Sequence, residues 1–277
     1  MMKRIGLSIL AFGFTTAYAA PGKLACPDDG GSHPTDLYYF RDSLETNKIK
    51  PADDAKDVAD IIEVRKEFFA KGNTCDEARS FECPLTMDKF FGDLVCPEMQ
   101  KAVADLIAHV DDDLAIEVHK LKKTKARPRP FEEHQDEILK DMHPECQNLY
   151  EEKKKSSFPS FHAAMSRAQA LVLAKIFPER GPEFLARSNE IAISRNVLAV
   201  HFPSDVKAGQ QLADKLIQAL STESCPENAH CFNQDLAAVK AQIASGDSKK
   251  GRTLAQRCAV GHSTRTYVPL TGDAAAQ

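Results

Sequence analysis

Two histidines, an aspartate, a serine and a set of cations stand in this chain at spacings that suit the transfer of a tetrahedral anion. One group is Phe158-Pro159-Ser160-Phe161-His162, placed where a run of helix-forming residues begins. Pro and Ser at such a point mark a helix start. A helix start presents unpaired N–H groups and the positive end of the backbone dipole, which together attract anions. The Ser160 hydroxyl and the His162 imidazole would project into that region. A second group is Ser194-Arg195, followed by His201 and then Asp205. Asp205 falls in the first turn of a helix opened by Pro203. From there a carboxylate can reach back to one ring nitrogen of His201, fix its tautomer, and leave the other nitrogen free to attack. A third is the basic, proline-punctuated segment from Lys120 to Pro130, with Lys122, Arg127 and Arg129 among its cations.

Together these residues supply the parts of a phosphoryl-transfer site. One imidazole can be the nucleophile and the other a general acid. Guanidinium and ammonium groups neutralise the equatorial oxygens as charge shifts in the transfer. Enough cations make a metal unnecessary, so neither a metal nor a cofactor is implied.

The elements that must position these residues read as helices. Helical apolar spacing runs through Asp53–Ala70 with Val58, Ile61, Ile62, Phe68 and Phe69, and through Pro97–Leu121 with Val103, Leu106, Ile107, Val110, Leu114 and Val118. Further helices are expected at Ser160–Phe177, Pro182–Val200 and from Pro203 to about Leu220, with a weaker pattern at 232–243. In this reading His201 ends one helix and Pro203 starts the next. Residues 20–50 read as an extended arm, 71–86 as irregular, the stretch from Pro130 to about Ser157 as a polar connection, and 246–277 as a mobile tail. No strand alternation and no β-α-β pattern occurs. Trp is absent and only 13 Gly are present, where strand-rich folds want more aromatics and turn glycines. The expectation is all-α: five or six amphipathic helices around one core in a single domain spanning 20–277.

The first residues read as a secretory signal: Lys3 and Arg4, the apolar run Ile5–Phe14, and small residues in Ala17-Tyr18-Ala19, with cleavage expected after Ala19. The apolar run is too short to span a bilayer, so membrane insertion is not expected. Loss of Lys3 and Arg4 leaves 34 basic residues against 40 acidic ones, a net charge of −6 that argues against nucleic acid as a partner. It leaves room for small anionic substrates bound by local cation clusters, and leaves a homo-oligomer open. All eight cysteines follow the signal, and none forms a C-x-x-C pair. An even count in an exported chain points to disulfides. Cys225 and Cys231 could close a small loop, and Cys75, Cys83 and Cys96 could staple a loop-rich stretch. The expected location is periplasmic or secreted.

The ordered motifs resemble the acid phosphatase and vanadium haloperoxidase superfamily (type 2 phosphatidic acid phosphatase-like), and within it the bacterial class A nonspecific acid phosphatases. That family's signature is K-x6-R-P, then P-S-G-H, then S-R-x5-H-x3-D. The third part is complete as Ser194, Arg195, His201 and Asp205; the second is Pro159, Ser160, Phe161 and His162. The first fits as Lys120 with Arg127-Pro128, or as Lys122 with Arg129-Pro130, the latter preferred because Phe131 follows, as the family's R-P-F does. The resemblance covers residues 97–220. It implies a helical bundle, His201 as the nucleophile that forms a phosphohistidine, Asp205 as its orienter, and His162 as the donor to the leaving group. Lys122, Arg129, Ser160, Arg195 and the N–H of Phe161 would hold the phosphate.

Phe161 stands where the family has Gly. Its N–H survives the exchange, but its ring must find space, either narrowing the pocket, stacking on an aromatic substrate, or packing into the core. The function expected from the resemblance is a metal-independent acid phosphatase acting on small phosphorylated substrates. The alternatives are a phosphotransferase or diphosphate hydrolase on the same site, or a non-catalytic phosphate-binding module.

Overall fold

The computed structural model describes residues 36–39, 44–52, 54–82, 84–138, 156–227 and 229–245. Regular structure among them is entirely helical. The signal segment, most of the arm and the tail after Ser245 lie outside the described residues.

Five long helices make the body: α1 (Asp54–Ala70), α4 (Pro97–Thr124), α7 (Phe161–Ile176), α8 (Gly181–Val197) and α9 (Pro203–Thr222), with α10 (Phe232–Ser245) following. The short helices are α2 (Cys75–Arg79), α3 (Met87–Phe91), α5 (Pro130–Glu133) and α6 (Gln135–Ile138). α7 is the axis. It is buried on most of its circumference, and Ala163, Ala164, Ala168 and Ala170 let α4, α8 and α9 close around it. α4 packs its row of Val103, Val110, Leu114, Val118 and Leu121 against this axis, and α9 packs Leu212, Leu216 and Leu220.

The approach of α9 to α7 is closest at Gly209. A Cβ there would stand 2.4 Å from the Ser160 carbonyl oxygen and 3.1 Å from the Ala164 nitrogen. Only glycine lets the first turn of α7 sit this near α9.

Several boundaries differ from the sequence expectation. The irregular stretch 71–86 contains α2, whose N-cap Thr74 forms a reciprocal capping box with Glu77. α5 and α6 stand at the start of what read as a polar connection. α8 stops at Val197 rather than Val200, because Ala199 adopts a left-handed conformation with φ 55°. The Ala199 N–H bonds to Asn196 O at 2.8 Å and the Val200 N–H to Arg195 O at 3.1 Å, a Schellman closure. His201 therefore lies in a turn between two helices, not on the end of one.

α1 lies outside the bundle and holds this turn. Val58 and Ile61 of α1 pack with Ala199, Phe202 and Ile138, while Phe68 packs with Val197, Leu198 and Val200. Of the arm, Tyr39 is fully buried; its N–H and that of Tyr38 donate to the Asp113 carboxylate at 3.1 and 2.6 Å. A disulfide joins Cys225 to Cys231 and closes the loop before α10, and Cys75 and Cys96 are also disulfide-bonded.

Candidate active site

The site forms where four backbone ends meet: the C-terminus of α4, the N-terminus of α7, the α8–α9 turn, and the N-terminus of α9. Ser160 is the N-cap of α7; its hydroxyl accepts from the Ala163 N–H at 3.4 Å. Its own N–H donates to the Asp205 carbonyl at 2.9 Å, which ties the start of α7 to the start of α9. His162 follows in the first turn, so the positive end of α7 is aimed at this corner of the bundle.

His201 is 3% exposed. Its Nδ1 lies 2.6 Å from the Ser157 carbonyl oxygen. A carbonyl only accepts, so Nδ1 carries the proton and Nε2 carries the lone pair. The sequence expected Asp205 to take the orienting role directly. Its Oδ2 instead stands 3.9 Å from Nδ1, beyond hydrogen-bonding distance. Asp205 accepts from the Phe202 N–H at 2.9 Å and from Arg127 Nη1 at 2.9 Å. It anchors the residues around the ring more than the ring itself.

The predicted cations gather at the same place. Arg129 Nη1 is 3.4 Å from Nε2 of His201 and donates to the Val200 carbonyl at 2.9 Å. Lys122, near the end of α4, donates to the Ser156 carbonyl at 2.8 Å. Arg195 is 2% exposed, bonded to Ser194 Oγ and Ala78 O, with Glu82 Oε1 at 3.8 Å. Burial, then the charges of Arg195, Arg129 and Lys122, hold His162 well below the usual imidazole range, against a hydrogen bond to the Glu82 main chain that raises it. Burial, then Arg129 and Lys122, then His162 and Arg195, hold His201 well below it as well. Both imidazoles thus feel the same three cations.

The two Lys-x6-Arg-Pro registers differ in their surroundings. Lys120 is largely exposed and lies 3.9 Å from Glu117, and Arg127 is committed to two carboxylates, whereas Lys122 and Arg129 act on both histidines. The Phe161 ring is 4% exposed and sits in the main hydrophobic core, 5.5 Å from the ring of His119 on α4. It fills core volume, while its backbone keeps its place at the start of α7.

Three contributors carried no motif signal. Ser157 acts through its main chain. Glu82 comes from a cysteine-bearing stretch with no periodicity. Asp57 on α1 donates nothing to the ring but accepts from Arg127 Nη2 at 2.8 Å, from the Ser204 N–H at 3.1 Å, and from the Ser204 hydroxyl. Burial pushes the Asp205 carboxyl up from its ordinary value, opposed first by Arg127 and then by the Phe202 N–H.

Such a site can hold a tetrahedral oxyanion among three cations and a helix N-terminus, with one imidazole lone pair available for in-line attack. Residues 104–213 match the PAP2 superfamily. The chain is 32% identical over 148 residues to a non-specific acid phosphatase of Providencia stuartii, covering 53% of this chain and 54% of that one. It is 32% identical over 122 residues to a non-specific acid phosphatase of Salmonella typhi, covering 44% of each. An acid phosphatase of Zymomonas mobilis is 31% identical over 102 residues, covering 37% of this chain and 34% of that one. The chain spans about half the length or less of these relatives.

Proposed function

We propose that this chain, a PAP2-superfamily relative of non-specific acid phosphatases, is an exported acid phosphatase that hydrolyses phosphate monoesters through a phosphohistidine. The observation that carries the reading is the placement of the His201 ring, with Nδ1 against the Ser157 carbonyl and Nε2 3.4 Å from Arg129 Nη1, beside the start of the helix that bears Ser160 and His162.

The steps follow from the geometry. The phosphate of the substrate settles among Lys122, Arg129 and Arg195, with Ser160 and the N–H of Phe161 at the positive end of α7. Its negative charge offsets the cations that depress His162, so His162 gains the proton it needs. The Nε2 lone pair of His201 attacks phosphorus, the bond from phosphorus to the ester oxygen breaks, and His162 gives its proton to the departing alcohol. A water then attacks the phosphohistidine, His162 accepts the proton of that water, and phosphate leaves with His201 restored. The Ser157 carbonyl stabilises the Nδ1 proton throughout.

Export is supported by the basic start, short apolar run and Ala17-Tyr18-Ala19 of the first residues, and by the disulfides at Cys225–Cys231, Cys75 and Cys96. The test is turnover of p-nitrophenyl phosphate by the purified mature protein at mildly acidic pH. Hydrolysis that survives EDTA and is blocked by vanadate is the expected result. Binding of phosphate with no turnover at any pH would sink the reading.

A further inference from the structure

Arg127 belongs to the other of the two Lys-x6-Arg-Pro registers, yet it is 6% exposed and bonded to two carboxylates and a hydroxyl. Its Nη1 donates to Asp205 Oδ1 at 2.9 Å and to Ser204 Oγ at 2.9 Å, and its Nη2 donates to Asp57 Oδ2 at 2.8 Å. The guanidinium also lies 3.7 Å from the centroid of the Phe202 ring. A planar fork spanning two buried carboxylates in this way has fixed geometry, which a point charge would not give.

Its main chain is engaged as well. The Arg127 carbonyl accepts from the Ser157 N–H at 2.7 Å, its N–H donates to Ser156 Oγ at 3.1 Å, and the Ser157 hydroxyl donates to the Pro128 carbonyl at 2.8 Å. Arg127 therefore holds Ser157, whose carbonyl orients His201, through its main chain, and holds Asp205 through its guanidinium. Asp57 closes the circuit from α1. It accepts from the Ser204 N–H in the first turn of α9 and pairs with Arg127. A buried pair of this kind is weak as a source of stability, and removing one partner leaves the other buried and uncompensated.

We propose that Asp57 and Arg127 are positioning residues that fix the His201 ring by clamping Ser157 and Asp205 from behind. The proposal rests on the phosphatase reading for its catalytic consequence, though not for the geometry it asserts. Neither residue touches the phosphate, so loss of the clamp lowers the rate of transfer while leaving substrate binding nearly intact.

The test uses the full chain carrying Asp57→Asn, which keeps the shape and removes the charge, and separately Ser204→Ala, which removes the hydroxyl shared by Arg127 and Asp57 without touching either charge. Steady-state rates on p-nitrophenyl phosphate are measured beside thermal melting, and the ring-nitrogen signals of His201 are recorded by NMR in the substrate-free protein. Asp57→Asn is expected to lower kcat about 10- to 100-fold with little change in KM, the size of effect that a small misplacement of a reacting group produces. The hydrogen-bonded Nδ1 proton of His201 is expected to exchange faster. Ser204→Ala is expected to move both readouts in the same direction by less. Wild-type kcat, or unchanged His201 ring signals, in a folded variant overturns the clamp. If Asp57→Asn does not fold, Ser204→Ala decides by the same two readouts. If the wild-type protein hydrolyses nothing, the phosphatase reading fails by itself, and the His201 ring signals still decide the clamp.

Discussion

Nδ1 of His201 rests 2.6 Å from the main-chain carbonyl oxygen of Ser157. This contact ties the tautomer of the ring to a peptide group, not to an ionisable side chain. A carbonyl keeps its acceptor character at every pH, so whenever the ring is neutral its lone pair is on Nε2, including in acid conditions that would protonate an exposed carboxylate partner.

That arrangement ranks the two residues of the third motif. His201→Ala removes the attacking nitrogen and is expected to lower kcat by at least about 1000-fold. Asp205→Asn keeps an acceptor beside the Phe202 N–H and leaves the Ser157 contact in place, so a smaller loss, about 10- to 100-fold, is expected. Single-turnover rates with p-nitrophenyl phosphate measure both. Near-normal turnover by His201→Ala would remove the phosphohistidine from the mechanism.

Phe161 is the site's departure from the expected glycine, and its ring lies in the core beside His119. Phe161→Ala is expected to cost about 3–5 kcal/mol of stability through the cavity it leaves. The relative rates on aryl and alkyl phosphate esters are expected to stay the same. A changed substrate profile with unchanged melting would place the ring in the substrate pocket instead.

The long elements were legible because their apolar residues recur at helical spacing over many turns. α4 was read as Pro97–Leu121 and runs to Thr124; α9 starts at Pro203 as read. α2, α3, α5 and α6 span a turn or so each, too short for any periodicity, and exist because capping and tertiary packing hold them. The end of α8 was misread because Leu198, Ala199 and Val200 continue an apolar run, and nothing in an alanine announces a left-handed turn. At the site, the histidines, Asp205, Ser160 and the cations carry a sequence signature in their type and spacing. Ser157 does not, since a carbonyl has none, and Asp57 does not, since it lies 147 residues from its partner Ser204.

Gly209 offers a check on how the helix starts are held. A methyl group there meets the Ser160 carbonyl at 2.4 Å, and that atom is backbone that cannot swing aside. Gly209→Ala is therefore expected to push α9 away from the first turn of α7, lowering stability by about 1–3 kcal/mol. Because Ser160 and Asp205 share a main-chain hydrogen bond across this contact, the phosphate cradle opens and KM rises. Thermal melting and steady-state kinetics together separate this outcome from a purely structural defect, which would lower the melting temperature and leave KM alone.

The empty site should refuse protons that the unfolded chain accepts. Burial and the neighbouring cations hold His162 and His201 below their ordinary pKa of about 6.5. As pH falls through about 6.5 the unfolded chain takes up protons at these two positions while the folded protein does not, so their contribution to stability declines with falling pH. Asp205 works in the opposite sense, because its raised pKa lets the folded protein take a proton earlier than the unfolded chain as pH falls, in a window that lies above the ordinary carboxyl value of about 3.8–3.9. A tetrahedral dianion bound among Lys122, Arg129 and Arg195 cancels part of the field that depresses His162, so binding is expected to draw in a proton. Sulfate is the suitable probe, since it does not itself titrate in the mildly acidic range. Calorimetry in buffers of different ionisation enthalpy measures the uptake. Net uptake in the wild-type protein, lost in His162→Gln, is the expected outcome; binding with no proton exchanged would mean that His162 does not face the anion.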